Sequence, residues 1–268
     1  MRVFAVLGLL GLASTLSLAQ GPVDLLPDMI VDPTFLNDYE IRDDIKPGKV
    51  HIAFSNATAN IGEGPLHIYG AKPKEKHGDE HTTQAVKQRI FRSDGSHFNR
   101  KAGEFVYHPT HNHTHFEGWA IYRLREVLPF DGVGDVVGTS KKTSFCLLDS
   151  FQYDGTLPNS PSSPVYSVCD DKAQGISVGY EDLYDKSIPG QWIEVTQLPQ
   201  GEYWLESEVD PDDNVLEINE SNNIARVKVV VEYEDEPGPD PDPNPNGIFE
   251  IIRVFIEQLL DFVRSLFG

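Results

Sequence analysis

Tyr203-Trp204-Leu205-Glu206-Ser207-Glu208-Val209 alternates bulky apolar with polar side chains. A strand repeats its side-chain direction every two residues, so Tyr203, Leu205 and Val209 share one face while Glu206 and Glu208 take the other. Val50-His51-Ile52-Ala53-Phe54 and Trp192-Ile193-Glu194-Val195 carry the same signature, and Gly, Pro, Asn and Asp turns break the segments apart. Helical periodicity is nearly absent before residue 247. The pattern predicts an all-β (mainly) protein with a β-sandwich core. The polar stretches 71–100 and 153–172 read as long loops, the part of a sandwich that commonly carries the site.

Outward from this core the two ends differ in kind. Met1-Arg2 precedes an apolar run from Val3 to Leu18, and Ser17 and Ala19 stand three and one residues before a cut ahead of Gln20. This reads as a secretory signal peptide over 1–19, with an uncleaved anchor as the alternative, and it predicts a secreted, extracytoplasmic protein. Residues 234–247, rich in Pro, Asp and Asn, form a stiff extended linker. Residues 248–268 follow as an amphipathic helix, with Glu250, Arg253, Glu257, Asp261 and Arg264 opposite its apolar face. Those charges make it a poor membrane span, and it lacks a basic face. Self-association, docking on a partner, packing on its own domain and membrane-surface contact stay open for it. The main folded domain is expected to span 20–233.

Removing 19 of 268 residues leaves 249, ample for a buried core. The formal charge of −20 argues against nucleic acid, whose phosphates need clustered Lys and Arg. An acidic surface suits an amine substrate, but solubility or a saline habitat accounts for it equally. The two cysteines, Cys146 and Cys169, read as a disulfide in an oxidising compartment.

Four of the nine histidines fall within Tyr107-His108-Pro109-Thr110-His111-Asn112-His113-Thr114-His115. On a strand His111, His113 and His115 share a face, whereas a helix would scatter them. The first and third would sit roughly 13 Å apart, so the strand is expected to bend if all meet at one ion. His108 has the opposite parity and fits an outer-shell or packing role. Three imidazoles suit Cu(II) or Zn(II), with copper favoured by the affinity order. Cu(I) trafficking lacks its soft ligands. There is no His-Glu-x-x-His, and Thr114-His115 replaces the acid of a metallo-β-lactamase-like motif.

His108-Pro-Thr-His111-Asn-His113-Thr-His115, Lys142-Thr-Ser-Phe-Cys146-Leu, Gln174-Gly-Ile-Ser-Val-Gly-Tyr-Glu-Asp-Leu-Tyr184 and Gln191-Trp-Ile-Glu-Val, in that order and spacing, resemble the catalytic domain of lysyl oxidases. The likeness runs from about Leu25 to Val231 and takes in Ala57-Thr-Ala-Asn-Ile-Gly-Glu-Gly-Pro-Leu66 and Leu216-Glu-Ile-Asn-Glu-Ser-Asn-Asn223. The resemblance implies that His111, His113 and His115 bind copper and that Lys142 and Tyr184 cross-link into a self-derived lysine tyrosylquinone. No ordinary side chain offers a carbonyl electrophile, so an enzyme that condenses with an amine must import or build one. Asp182 stands where the family has its candidate base. The implied reaction takes a primary amine, peptidyl lysine or small, and dioxygen to an aldehyde, hydrogen peroxide and ammonia. Cys146 and Cys169 align with family cysteines, most of whose other members are absent here.

Asp210-Pro-Asp-Asp-Asn-Val-Leu-Glu217-Ile-Asn219-Glu-Ser-Asn222-Asn223 is rich in hard oxygen ligands. The resemblance implies a calcium site of Asp28, the Met29 carbonyl, Glu217, Asn219, Asn222 and Asn223, and a hairpin turn that binds nothing is the alternative. A non-catalytic copper-binding or adhesion sandwich is the rival to the oxidase, and a zinc hydrolase comes third.

Overall fold

A computed structural model of the chain describes residues 21–77, 81–108 and 113–233. The expected signal peptide, His111, and the linker and helix from 234 onward lie outside these described residues. Chain contacts divide the protein into Met1–Val231 and Glu232–Gly268.

The first unit is mainly β, as the alternation requires, and its strands form four antiparallel sheets. One sheet orders Gly132–Thr139, Ala120–Leu128, Gly201–Val209 and Ile224–Val231 side by side. Tyr203, Leu205 and Val209 point inward with Val227, Val229 and Val231 of the next strand, all nearly or wholly buried. The other face is not simply solvated. Glu206 is completely buried because Arg123, Arg125 and Arg226 close over it. Its strand neighbours in register are Arg123 and Arg226, so pairing delivers the cations to the acid. Removing one member would strand buried charge, which costs far more than the pair itself contributes.

A second sheet orders Phe151–Gln152, Tyr180–Tyr184, Asn56–Asn60 and Met29–Asp32; a third orders Trp192–Glu194, Lys49–Phe54 and Tyr39–Lys46. Phe54, Tyr122 and Phe145 meet between the sheets, with ring centroids 4.9 Å and 6.1 Å apart in edge-to-face contacts.

The largest sheet corrects one sequence expectation. Stretch 71–100 is no loop: Leu66–His77, His81–Arg92, His97–His108 and His113–Phe116 form a meander. Lys72, Lys74, Glu75 and Lys76 are exposed on both faces, so no apolar period marks a strand held by its ladder to Thr82, Thr83 and Gln84. Stretch 153–172 does lack strands. Asp149 pins it, accepting from Val165 N (2.7 Å), Tyr166 N (3.1 Å) and the Ser177 hydroxyl (2.8 Å). The Cys146–Cys169 disulfide closes it, with Cα atoms 5.5 Å apart. Among the described residues no helix is long and apolar enough to cross a membrane.

Candidate active site

The extended segment from Lys142 to Cys146 ties the pieces of the site together. Phe145 and Phe116 exchange backbone hydrogen bonds at 2.6 and 3.0 Å, which fixes this segment against the histidine strand. The Ser144 hydroxyl lies 3.4 Å from His115 Nδ1 and orients that ring. Cys146 grips Tyr184: its N–H donates to the phenol oxygen at 2.8 Å, and the phenol donates to its carbonyl at 3.0 Å. Phe145 stands edge-on to the Tyr184 ring with centroids 4.8 Å apart. The Lys142 Nζ lies 5.1 Å from the Tyr184 ring centroid and 5.1 Å from that of Phe145.

Lys142 is held there from both ends. Its N–H donates to Ser140 Oγ at 3.2 Å, and Ser140 in turn donates to the Gly190 carbonyl at 3.1 Å. Gly190 has φ +95°, and a side chain there would begin 3.2 Å from Lys142 Cδ. The glycine thus answers both the turn and the lysine stem lying against it.

Burial sets the protonation of this group of side chains. The Lys142 amine is pushed below its ordinary 10.5 by desolvation, with the Asp182 charge acting in the opposite direction. Asp182 sits two residues before Tyr184 on the same strand face. It is 4% exposed, and desolvation drives its carboxyl well above 3.8. Ser150 donates to Oδ1 at 3.2 Å, while Oδ2 has no hydrogen-bond partner. The Tyr184 phenol is raised above its ordinary range by burial and by Asp182.

His113 and His115 share a face, half-buried, while Thr114 and Phe116 are buried on the other. Their ring centroids are 4.6 Å apart, closer than the Cα spacing of about 6.7 Å along a strand, so the rings lean together. Two converging imidazoles fit a borderline divalent ion. Among the described residues no group of three or more His, Cys, Asp or Glu is arranged to hold a metal. His108 pairs in register with His113.

Residues 70–237 match the family model of lysyl oxidase, which spans more than half of the chain. The chain belongs to the lysyl oxidase family. It is 27% identical to lysyl oxidase homolog 1 of Homo sapiens over 207 residues, 76% of this chain and 33% of that protein. It is 30% identical to lysyl oxidase homolog 2 of Rattus norvegicus over 142 residues, 52% of this chain and 17% of that protein. With lysyl oxidase homolog 3A of Danio rerio it shares 29% over 182 residues, 63% of this chain and 23% of the relative. The chain thus spans a third or less of the length of these relatives.

The family match begins beyond Asp28 and Met29, yet the fold brings both to the Asn-rich hairpin. Met29 N donates to Glu217 Oε2 at 2.5 Å, Asn223 donates to Glu217 Oε1 at 3.0 Å, and Asn222 donates to Asp28 Oδ1 at 2.8 Å. The side-chain oxygens of Asn222 and Asn223 are buried with no partner, and burial pushes Glu217 up to about 8. Unpartnered oxygens beside carboxylates fit a hard cation. Asn219 does not join them: it is exposed, and its oxygen accepts from Ser221 N and Oγ at 3.1 and 2.6 Å in a local turn.

Sequence reading gave no role to Tyr122, and Gln191 entered it only within the Gln191-Trp-Ile-Glu-Val motif. Both are wholly buried, and the Gln191 side chain is a close polar neighbour of the Tyr122 hydroxyl. Tyr122 shares the electrostatic surroundings of Asp182 and Tyr184, and the Gln191 amide donates to the Tyr184 carbonyl at 3.5 Å. Tyr122 lies in an alternating strand, so nothing in its own stretch of sequence separates it from an ordinary core residue.

Proposed function

We propose that this protein is an extracytoplasmic copper-dependent amine oxidase. It converts a primary amine, dioxygen and water to an aldehyde, hydrogen peroxide and ammonia. The observation that carries this reading is the Lys142 amine 5.1 Å from the Tyr184 ring centroid, in a chain of the lysyl oxidase family. Copper would be held by His111, His113 and His115. Copper and a lysine tyrosylquinone built from Lys142 and Tyr184 would supply dioxygen activation and a carbonyl that takes up an amine and its electrons.

The chain's own groups have definable tasks. Cys146 anchors the phenol oxygen through both backbone atoms, which holds the Tyr184 ring in place beside the Lys142 amine. Desolvation of Lys142 increases the fraction of its amine that is unprotonated and able to act as a nucleophile. Asp182, whose carboxyl pKa is raised by burial, is a stronger base for it when ionised and would accept the α-proton of a bound amine. Calcium at Asp28, Met29, Glu217, Asn222 and Asn223 would brace the hairpin against the strand Met29–Asp32. The amphipathic segment 248–268 would serve self-association or docking.

The test is amine-dependent peroxide release from copper-loaded full-length protein in air, with matching aldehyde. The reading expects release from wild type and none from Lys142→Ala or Tyr184→Phe. Tight copper binding without peroxide and without a phenylhydrazine adduct would leave a non-catalytic copper-binding protein instead.

A further inference from the structure

Beside Lys142 lies a cavity of about 270 Å³ whose walls include Lys46, His51, Lys141, Trp192 and Glu194. Its charge is opposite to that of the molecule. The chain carries a formal −20, yet Lys46 and Lys141 are exposed here, and among the described residues neither pairs with a carboxylate within 4.0 Å. The acid in this wall, Glu194, is engaged by Lys49 at 2.6 Å.

His51 adds a second, independent sign of a ligand. It is wholly buried, and both of its ring nitrogens lack a hydrogen-bond partner. Its ring meets Trp192 edge-on at 6.2 Å, so the imidazole belongs to the cavity wall. The Lys49 backbone is only a weak polar neighbour; a buried imidazole so poorly satisfied is costly, and a ligand oxygen in the cavity would relieve it. Lys142 is common to this wall and to the Tyr184 contact, so its side chain links the cavity to the Tyr184 ring.

We propose that this cavity is a carboxylate subsite, in which Lys46 and Lys141, backed by His51, hold the acid end of a small substrate whose amine points to Tyr184. The substrate class is the ω-amino acids, small enough for the volume, in preference to simple alkyl amines. This rests on the oxidase reading above and narrows it. Lys142 is not required for the anion contact, so its commitment to Tyr184 leaves the subsite in place.

The experiment has two arms on the full chain. In the first, hexanoate is titrated while His51 ring resonances are followed. A saturable shift is expected, weakened about threefold in Lys46→Ala or Lys141→Ala and roughly tenfold in the double variant, the range of exposed ion pairs. In the second, kcat/KM for 6-aminohexanoate is divided by that for hexylamine, and this ratio is expected to drop roughly tenfold in the double variant. No His51 shift, hexanoate binding equal in wild type and double variant, or an unchanged ratio overturns the subsite. Hexanoate binding that depends on the lysines, without turnover of any amine, keeps the subsite and removes the oxidase reading.

Discussion

The Tyr184 hydroxyl is bonded to both backbone polar groups of Cys146, donating to the carbonyl at 3.0 Å and accepting from the amide at 2.8 Å. Those two bonds anchor the phenol oxygen, and the Lys142 amine lies over the face of the ring they hold. Tyr184→Phe leaves the Cys146 amide and carbonyl unpaired and should cost roughly 1–3 kcal/mol. Urea unfolding checks this, and stability equal to wild type would show that those bonds contribute nothing.

Cys146 also carries the disulfide, and the Cys169 carbonyl accepts from Thr114 N at 3.0 Å on the histidine strand. One covalent link therefore joins the backbone that holds Tyr184 to the backbone between His113 and His115. Replacing both cysteines by serine opens a loop of sequence separation 23 and should lower stability by roughly 3 kcal/mol on the chain-entropy view. Denaturant midpoints with and without reductant measure it. A double variant as stable as wild type would contradict the bracing role.

Asp182 is predicted to trade stability for function. Its folded carboxyl pKa lies well above 3.8, so the folded state keeps a proton that the unfolded chain gives up. The stability from that group is complete below the unfolded value and declines as pH rises towards the folded one. Asp182→Asn stays neutral throughout, so its melting temperature should gain on wild type as pH rises from about 4 towards the folded value of Asp182. Its kcat should fall about 10²–10⁴-fold, as for loss of a general base. Equal pH profiles of stability, or retained kcat, would refute the assignment.

The Asn-rich hairpin should respond to calcium. Added ion at about 100 times its dissociation constant would stabilise the fold by about 2.7 kcal/mol. Scanning calorimetry with calcium and with chelator reads this, and Glu217→Gln should abolish the response. Asn219→Ala should leave it intact, because that side chain is engaged in its own turn with Ser221. An indifferent melting temperature would make the hairpin a plain Asx-rich turn.

What could be read from the sequence follows from the physics of each signal. Alternation exposed the strand Gly201–Val209 because one face is buried apolar and the other polar. It did not expose the second half of Leu66–His77, where Lys72, Lys74, Glu75 and Lys76 are exposed and the ladder to Thr82, Thr83 and Gln84 makes the strand. The shared face of His113 and His115 was legible from their spacing. The meeting of Lys142 with Tyr184, and of Asp28 with Asn222, depends on chain separations that local patterns do not encode; only the family resemblance hinted at them. His51 sits at a polar position of an alternating strand, and only its burial in the fold sets it apart.

The account depends most on whether the Lys142 amine and the Tyr184 ring become one group. Copper-loaded protein, aged in air and digested, should yield a single peptide species containing both residues, absent from metal-free controls and from Lys142→Ala. Separate Lys142 and Tyr184 peptides of unmodified mass, from protein with copper fully bound, would contradict it.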